Sequence, residues 1–168
     1  IGKNEDFAVI LPDDIILSKI PATKQLINIH SKTHGGSVIG LEKVKKKDVS
    51  KYGVIKIKKK MSNFYSISNL VEKPKIKDAP SNLTIVGRYI LNQKIFEYLS
   101  SQKRGFGGEI QLTDSLLNLV GSPGLFGVEF DGNRYDCGNK LGFIEANLNF
   151  GLNDTEIKSK LRSMLRKL

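Results

Sequence analysis

The run Phe7-Ala8-Val9-Ile10-Leu11 is continuously apolar and is stopped by Pro12 and two acids, Asp13 and Asp14. Its length and lack of alternation predict a buried parallel strand whose carboxyl end meets solvent. Ala22 to Gly35 carries Leu26, Ile27 and His30 at helical spacing with Gly35-Gly36 as a stop, and Ser37 to Val44 returns as a strand, so the chain begins with a strand-helix-strand unit. Tyr52 to Ile57 predicts another strand. Between Phe64 and Glu72 the pattern is mixed, and only Leu70-Val71 reads as extended, with Pro74 and Pro80 marking the loop beyond. Leu83 to Leu91 is the second strongly apolar strand, followed by a short helix from Gln93 to Ser101. Gly105, Gly107 and Gly108 form a flexible loop before a helix from Glu109 to Val120, whose Ile110, Leu112, Leu116, Leu117 and Val120 make a broad apolar face. Leu125 to Phe130 is the last predicted strand. Gly138 and Asn139 open a helix with Leu141, Ile144 and Leu148 on one side. After Gly151, Asp154 or Thr155 can cap a final helix carrying Ile157, Leu161, Met164 and Leu168 in one stripe, with cations crowding its C-terminal end. Strands and helices alternate throughout without an internal repeat, which argues for one α/β domain over residues 1–168, with the segment 152–168 free to dock on the core or on another subunit.

A strand buried on both faces needs neighbours on both sides, so a chain that starts straight into one is expected to be a fragment of a longer whole. Composition narrows the class of protein further. With 168 residues, 39% hydrophobic, the chain can bury one ordinary core. No stretch approaches the roughly 18–20 consecutive apolar residues of a membrane span, and the start has no signal-peptide pattern, so a cytoplasmic protein with no membrane partner is expected. The one cysteine, Cys137, cannot form an internal disulfide, and two separated histidines make no Cys/His zinc cluster. Any metal is therefore held by carboxylates. The net charge of +10 raises nucleic acid as a partner. The lysine runs Lys43 to Lys47 and Lys56 to Lys60 lie at element edges without interleaved aromatic rings, however, and read as a solvated surface rather than a nucleic-acid site.

In open α/β sheets ligands gather outside the carboxyl ends of strands, which makes Asp13-Asp14 a candidate. Adjacent acids in extended chain point to opposite faces, so a single ligand from this pair is more plausible than a bidentate clamp. Mg²⁺ takes one or two carboxylates together with phosphate oxygens and water, which suits Asp13 with a second acid from elsewhere. The alternative is an Asp that serves a turn or cap. Asp136, between a strand and an apolar-periodic helix, is the candidate second acid, and equally a candidate N-cap. Cys137 beside it has no histidine to activate it and reads as a packed residue. Glu72-Lys73-Pro74 sets an acceptor for sugar hydroxyls and a point charge for a phosphate directly after a strand, or else an exposed charge pair. Gly53 and Gly87, inside apolar strands, mark a close approach of backbone or ligand, or a bulge.

Six runs then carry a resemblance. Leu11-Pro12-Asp13-Asp14, Val71-Glu72-Lys73-Pro74, Ala79-Pro80-Ser81-Asn82-Leu83, Ile85-Val86-Gly87-Arg88-Tyr89, Gly108-Glu109-Ile110-Gln111-Leu112-Thr113-Asp114 and Asp136-Cys137-Gly138-Asn139-Lys140-Leu141-Gly142 occur in the order and spacing of bacterial UTP–glucose-1-phosphate uridylyltransferases, and the chain resembles the C-terminal portion of that family. The resemblance implies a Rossmann-like nucleotide-diphospho-sugar transferase fold, a mixed sheet flanked by helices. It implies Mg²⁺-dependent transfer of UMP from UTP to glucose 1-phosphate, giving UDP-glucose and pyrophosphate, by a homo-oligomer. By position, Asp13 and Asp136 resemble the metal-binding acids and Lys73 and Asp13 the catalytic residues. Gly53, Glu72, Lys73, Val86 and Gly87 resemble the sugar and sugar-phosphate contacts. Asp14 stays outside the implied metal site. The glycine-rich basic loop with which the family cradles UTP has no counterpart in this sequence. Its place is expected to be filled by a missing N-terminal half or another subunit, the alternative being a non-catalytic interaction or oligomerisation module.

Overall fold

The computed structural model describes residues 1–2, 5–104 and 108–167. Gly105, Gly107 and Leu168 of the expectations above lie outside that range. Eight strands and five helices are found among the described residues: β1 (Asp6–Ile10), β2 (Asp14–Leu17), α1 (Ala22–His30), β3 (Ser37–Lys43), β4 (Gly53–Lys60), β5 (Tyr65–Glu72), β6 (Leu83–Asn92), α2 (Ile95–Ser101), α3 (Leu112–Leu117), β7 (Leu125–Glu129), β8 (Asn133–Asp136), α4 (Lys140–Asn153) and α5 (Lys158–Leu165), with a 3-10 turn at Lys46–Lys51. Six strands form a mixed sheet in the order β1-β6-β3-β7-β5-β4, with one further pairing between β4 and β6. The β3–β7 pair is parallel and the others antiparallel. β2 and β8 make a separate antiparallel ribbon.

The two central strands explain the sheet. β3 and β6 are covered on both faces, which is why their sequences are apolar without alternation. Ile39, Leu41, Leu83, Ile85, Tyr89 and Leu91 turn to the face packed by Ile95 of α2 and Leu116 of α3. Val38 and Ile90 turn to the opposite face, where Leu26 and Ile29 of α1 meet them. Leu26 is fully buried there, and truncating such a side chain to alanine costs about 2–5 kcal/mol.

Several boundaries differ from the sequence expectations, each for a local reason. β1 is not a buried parallel strand: it pairs antiparallel with β6, with Phe7 and Val9 half-buried while Asp6, Ala8 and Ile10 are exposed. α1 ends at His30, because Thr33 Oγ1 donates to the His30 carbonyl and His34 and Gly35 turn through positive φ. Ile27 of its expected apolar stripe is exposed, and Ile29 is buried instead. β5 spans the whole of Tyr65–Glu72, since its mixed sequence pairs with β4 along nearly its full length. α3 is shorter than Glu109 to Val120, and Ile110 is exposed before it. α4 packs through its small residues Gly142, Ala146 and Gly151, leaving Leu141 and Ile144 exposed. Asp154, whose Oδ1 accepts the N–H groups of Glu156 and Ile157, fixes the turn into α5, so the last segment is a helix of eight residues rather than one running over 152–168. No helix among the described residues is long and apolar enough to cross a membrane.

Candidate active site

One cleft of about 470 Å³ collects the seven residues singled out from the sequence: Asp13, Gly53, Glu72, Lys73, Val86, Gly87 and Asp136 all line it. Its floor is the carboxyl-terminal stretch of β5, the middle of β6 and the start of β4, and the β2–β8 ribbon closes one side.

The ribbon brings the two acids together. Asp14 stands opposite Asp136 in the β2–β8 register, and the Cys137 N–H donates to the Asp13 carbonyl at 2.7 Å. The side chains of Asp13 and Asp136 converge where Gly138 has none: a Cβ built on Gly138 would lie 3.1 Å from Asp136 Oδ1 and 3.2 Å from Asp13 Oδ2. Asn139, not Asp136, caps α4, its side-chain oxygen accepting the Gly142 N–H at 2.8 Å. Asp136 Oδ1 instead accepts the Gly138 N–H at 3.1 Å. Among the described residues no group of three or more His, Cys, Asp or Glu could hold a metal ion, so the protein offers a carboxylate pair rather than a closed cage. That is the complement Mg²⁺ takes when phosphates and water complete its shell, and the donor set fits it.

Asp14 does different work. It is buried, its Oδ2 accepts the Gly87 N–H at 2.5 Å, and its Oδ1 accepts from Arg134 Nε at 2.5 Å. Gly87 has to be glycine for this approach, since a Cβ there would stand 2.7 Å from Asp14 Oδ2 and 2.6 Å from Leu11 Cβ. Gly53 has the same reason on the other wall, where a Cβ would come within 3.1 Å of Glu72 Oε2, Ile85 Cδ1 and Thr113 Oγ1. Gly53 is not at a bulge, since the irregularities of β4 fall around Ile57, but Gly87 is: the β3–β6 register jumps from Ile39 opposite Tyr89 to Leu41 opposite Ile85, which leaves Gly87 in the middle of the bulged stretch of β6.

Glu72 is held for use. Thr113 Oγ1 donates to its Oε2 at 2.6 Å, while its Oε1 lies 4.0 Å from Lys73 Nζ. Lys73 adopts φ 43°, a left-handed conformation uncommon for a residue with a side chain, and its N–H donates to the Tyr52 carbonyl at 3.1 Å. That turn carries the ammonium into the cleft directly after β5. Local strain at a cleft residue is characteristic of functional sites.

Sequence reasoning assigned no site role to several other lining residues, among them Tyr52, Thr113 and Arg134. Thr113 lies inside one of the six runs but had no assigned contact. Arg134 gave no signal, because a lone arginine two residues before Asp136 reads as surface. Burial works against its guanidinium, but the neighbouring Asp14 carboxylate outweighs this and holds its pKa above the ordinary arginine value. Burial also pushes the Tyr89 phenol up, with the charges of Asp14 and Glu72 adding to the effect.

Residues 1–151 match the protein-family model described as nucleotidyl transferase. A curated relative from Staphylococcus epidermidis, named UTP--glucose-1-phosphate uridylyltransferase, is 44% identical over 98% of this chain and 57% of its own length. A relative of the same name from Staphylococcus haemolyticus is 45% identical over the same shares. Among solved structures, a UDP-glucose pyrophosphorylase complexed with UDP-glucose superposes with a TM-score of 0.84 at 42% identity, covering 90% of this chain and 58% of that one. A UTP-bound enzyme from Acinetobacter baumannii superposes with a TM-score of 0.85 at 30% identity, covering 98% and 57%. The chain thus spans 57% of the length of these curated relatives.

Proposed function

The chain belongs to the nucleotidyl transferase family, and we propose that its cleft serves Mg²⁺-dependent transfer of UMP from UTP to glucose 1-phosphate, giving UDP-glucose and pyrophosphate. The observation that carries this reading is the convergence of the Asp13 and Asp136 carboxylates on one side of a cleft whose other wall presents Glu72 and Lys73. The names and bound ligands of the relatives, UDP-glucose in one and UTP in another, supply the substrate class.

On this reading an oxygen of glucose 1-phosphate attacks the α-phosphorus of UTP in line. A new phosphorus–oxygen bond forms as the bond to the β-phosphate breaks, and pyrophosphate leaves with the electron pair. The chain's task is then positioning and charge neutralisation, which requires no covalent nucleophile. Lys73 offsets the charge of the sugar phosphate. Glu72, oriented by Thr113, accepts hydrogen bonds from sugar hydroxyls, and the bare backbones at Gly53 and at Val86-Gly87 let the sugar come close. Asp13 and Asp136 would hold Mg²⁺, which when bound supplies positive charge to the reacting phosphates.

On this reading the triphosphate and uracil contacts would come from an N-terminal half or another subunit. A homo-oligomer and a cytoplasmic setting, where UTP is available, belong to the same reading. A second reading, an interaction module without turnover, is favoured by the exposed Leu141, Phe143, Ile144 and Met164 of α4 and α5. Pyrophosphate release from UTP, glucose 1-phosphate and Mg²⁺ separates the two, measured with this chain alone and mixed with the N-terminal half of a relative. Turnover in either supports transfer. No turnover in both, with the mixture forming a stable complex, supports the module.

A further inference from the structure

Both acids of the cleft stand on a ribbon that shares no strand ladder with the six-stranded sheet. Whatever holds the ribbon against the sheet therefore sets the distance from Asp13 and Asp136 to Glu72, Lys73 and Gly87. Arg134 of β8 is placed to do this. Its side chain is only 9% exposed; Nη2 lies 2.5 Å from Asp14 Oδ1 on β2, and Nη1 donates to Glu42 Oε2 on β3 at 3.2 Å. Its guanidinium carbon lies 5.3 Å from the centroid of the Tyr52 ring, at the start of β4. Through Asp14, which accepts the Gly87 N–H, the same group reaches β6. Arg134 and Asp136 are two apart in one strand and share a face, and Asp14 is the cross-strand partner of Asp136.

We propose that Arg134 is a positioning residue of the transfer site, clamping the acid-bearing ribbon to the sheet so that Asp13 and Asp136 meet a divalent cation at the right place. The inference rests on the reading of the cleft given above. Arg134 is not a ligand for substrate phosphate: Asp14 and Glu42 occupy its fork and Tyr52 its face, and a phosphate would have to displace two carboxylates from a largely buried site. The fork matters as well as the charge, because a lysine ammonium is a point charge that cannot reproduce the two-armed bridge. Without the guanidinium, Asp14 would be left as a buried charge directly opposite Asp136, and the repulsion would splay the ribbon.

The experiment uses Mn²⁺ as the probe cation, its affinity for the UDP-glucose complex of the protein read by electron paramagnetic resonance of free Mn²⁺. It compares wild type with Arg134→Lys and Glu42→Gln, the second removing one arm of the bridge while leaving Arg134 paired to Asp14. Partners that orient metal ligands typically govern affinity by about 10–100-fold, so we expect Arg134→Lys to weaken Mn²⁺ binding roughly tenfold and Glu42→Gln about threefold. UDP-glucose affinity should change far less, and kcat should fall with the Mn²⁺ affinity while KM holds. Unchanged Mn²⁺ affinity in a folded Arg134→Lys overturns the proposal, as does a raised KM at unchanged kcat, the mark of direct substrate contact. If Arg134→Lys does not fold, Glu42→Gln decides by the same Mn²⁺ readout. Wild-type protein that binds no UDP-glucose either alone or mixed with the N-terminal half of a relative would instead sink the reading of the cleft itself.

Discussion

Gly138→Ala separates the chemistry of the acid pair from the stability of the fold. The added Cβ would stand 3.1 Å from Asp136 Oδ1 and 3.2 Å from Asp13 Oδ2, a few tenths of an ångström inside comfortable contact. Both oxygens are the ends of side chains at the cleft surface, so they can swing away, Asp136 Oδ1 at the cost of its hydrogen bond from the Gly138 N–H. Gly138 is also not among the residues with positive φ, so alanine can adopt its backbone conformation. Exchanging glycine for alanine at a compatible position stabilises by about 0.4–1 kcal/mol through the unfolded chain, which offsets the small steric cost. The melting temperature should therefore move by no more than about 4–8 °C, the shift that 1 kcal/mol produces in a small domain. Function should respond very differently. A methyl group wedged between the carboxylates prevents both from closing on one ion, and loss of ligand geometry costs roughly 10–100-fold in metal affinity or activity. The assay is pyrophosphate release as a function of Mg²⁺ concentration, with circular dichroism melting as the control. A variant whose half-saturating Mg²⁺ and rate both match wild type would show that the two acids do not share a cation.

Other consequences are quicker to state. Gly87→Ala drives a Cβ into Leu11 and Asp14 and should destabilise by about 1–3 kcal/mol, read as a lowered urea midpoint at constant slope. Thr113→Val takes the hydroxyl donor from a largely buried Glu72, so KM for glucose 1-phosphate should rise while that for UTP holds, with Thr113→Ser restoring the former. The Tyr65 phenol donates to Glu129, and this hydrogen bond, with a smaller effect of burial, pushes its pKa up to about 12. Because the folded value exceeds the ordinary tyrosine value of 10.0, the stabilisation is complete below pH 10 and is lost between about pH 10 and 12, where the unfolded chain gives up a proton that the folded state still holds. Alkaline unfolding of Tyr65→Phe should lack that part of the pH dependence, and an identical profile would contradict the assignment.

What was legible in the sequence follows from how each residue earns its place. β3 and β6 are read off directly, because strands covered on both faces have to be apolar at nearly every position. β1 shows the same continuous run and was misread, because a strand beside β6 can carry Ala8 and Ile10 outward without any polar residue to betray the exposure. The ribbon was only partly visible: Asp14 to Leu17 follows a proline and two acids, which signal a turn, and four residues are too few to show a period. The motif residues lined one cleft because each is tied to a strand end or to a close backbone approach, features that leave Gly, Asp or Glu-Lys-Pro in the sequence. Arg134 left no such mark. Its meaning comes entirely from Asp14, Glu42 and Tyr52, which reach it from three other elements.

Asp13 and Asp14 show how far neighbours in sequence can diverge in chemistry. Asp13 stands exposed in the turn that leads into β2, whereas Asp14, the first residue of the strand, is buried. Inward, a carboxylate has to be paired and hydrogen-bonded to be tolerated, and Arg134 with the Gly87 N–H meets both demands. That pairing withdraws Asp14 from ligand chemistry and anchors its neighbour at the same time. A slip of the ribbon by one residue would break the pairing of Asp14 with Arg134 and carry it away from the Gly87 N–H. The register of a four-residue strand therefore decides which of two identical side chains can reach a ligand, and the buried guanidinium is what holds that register.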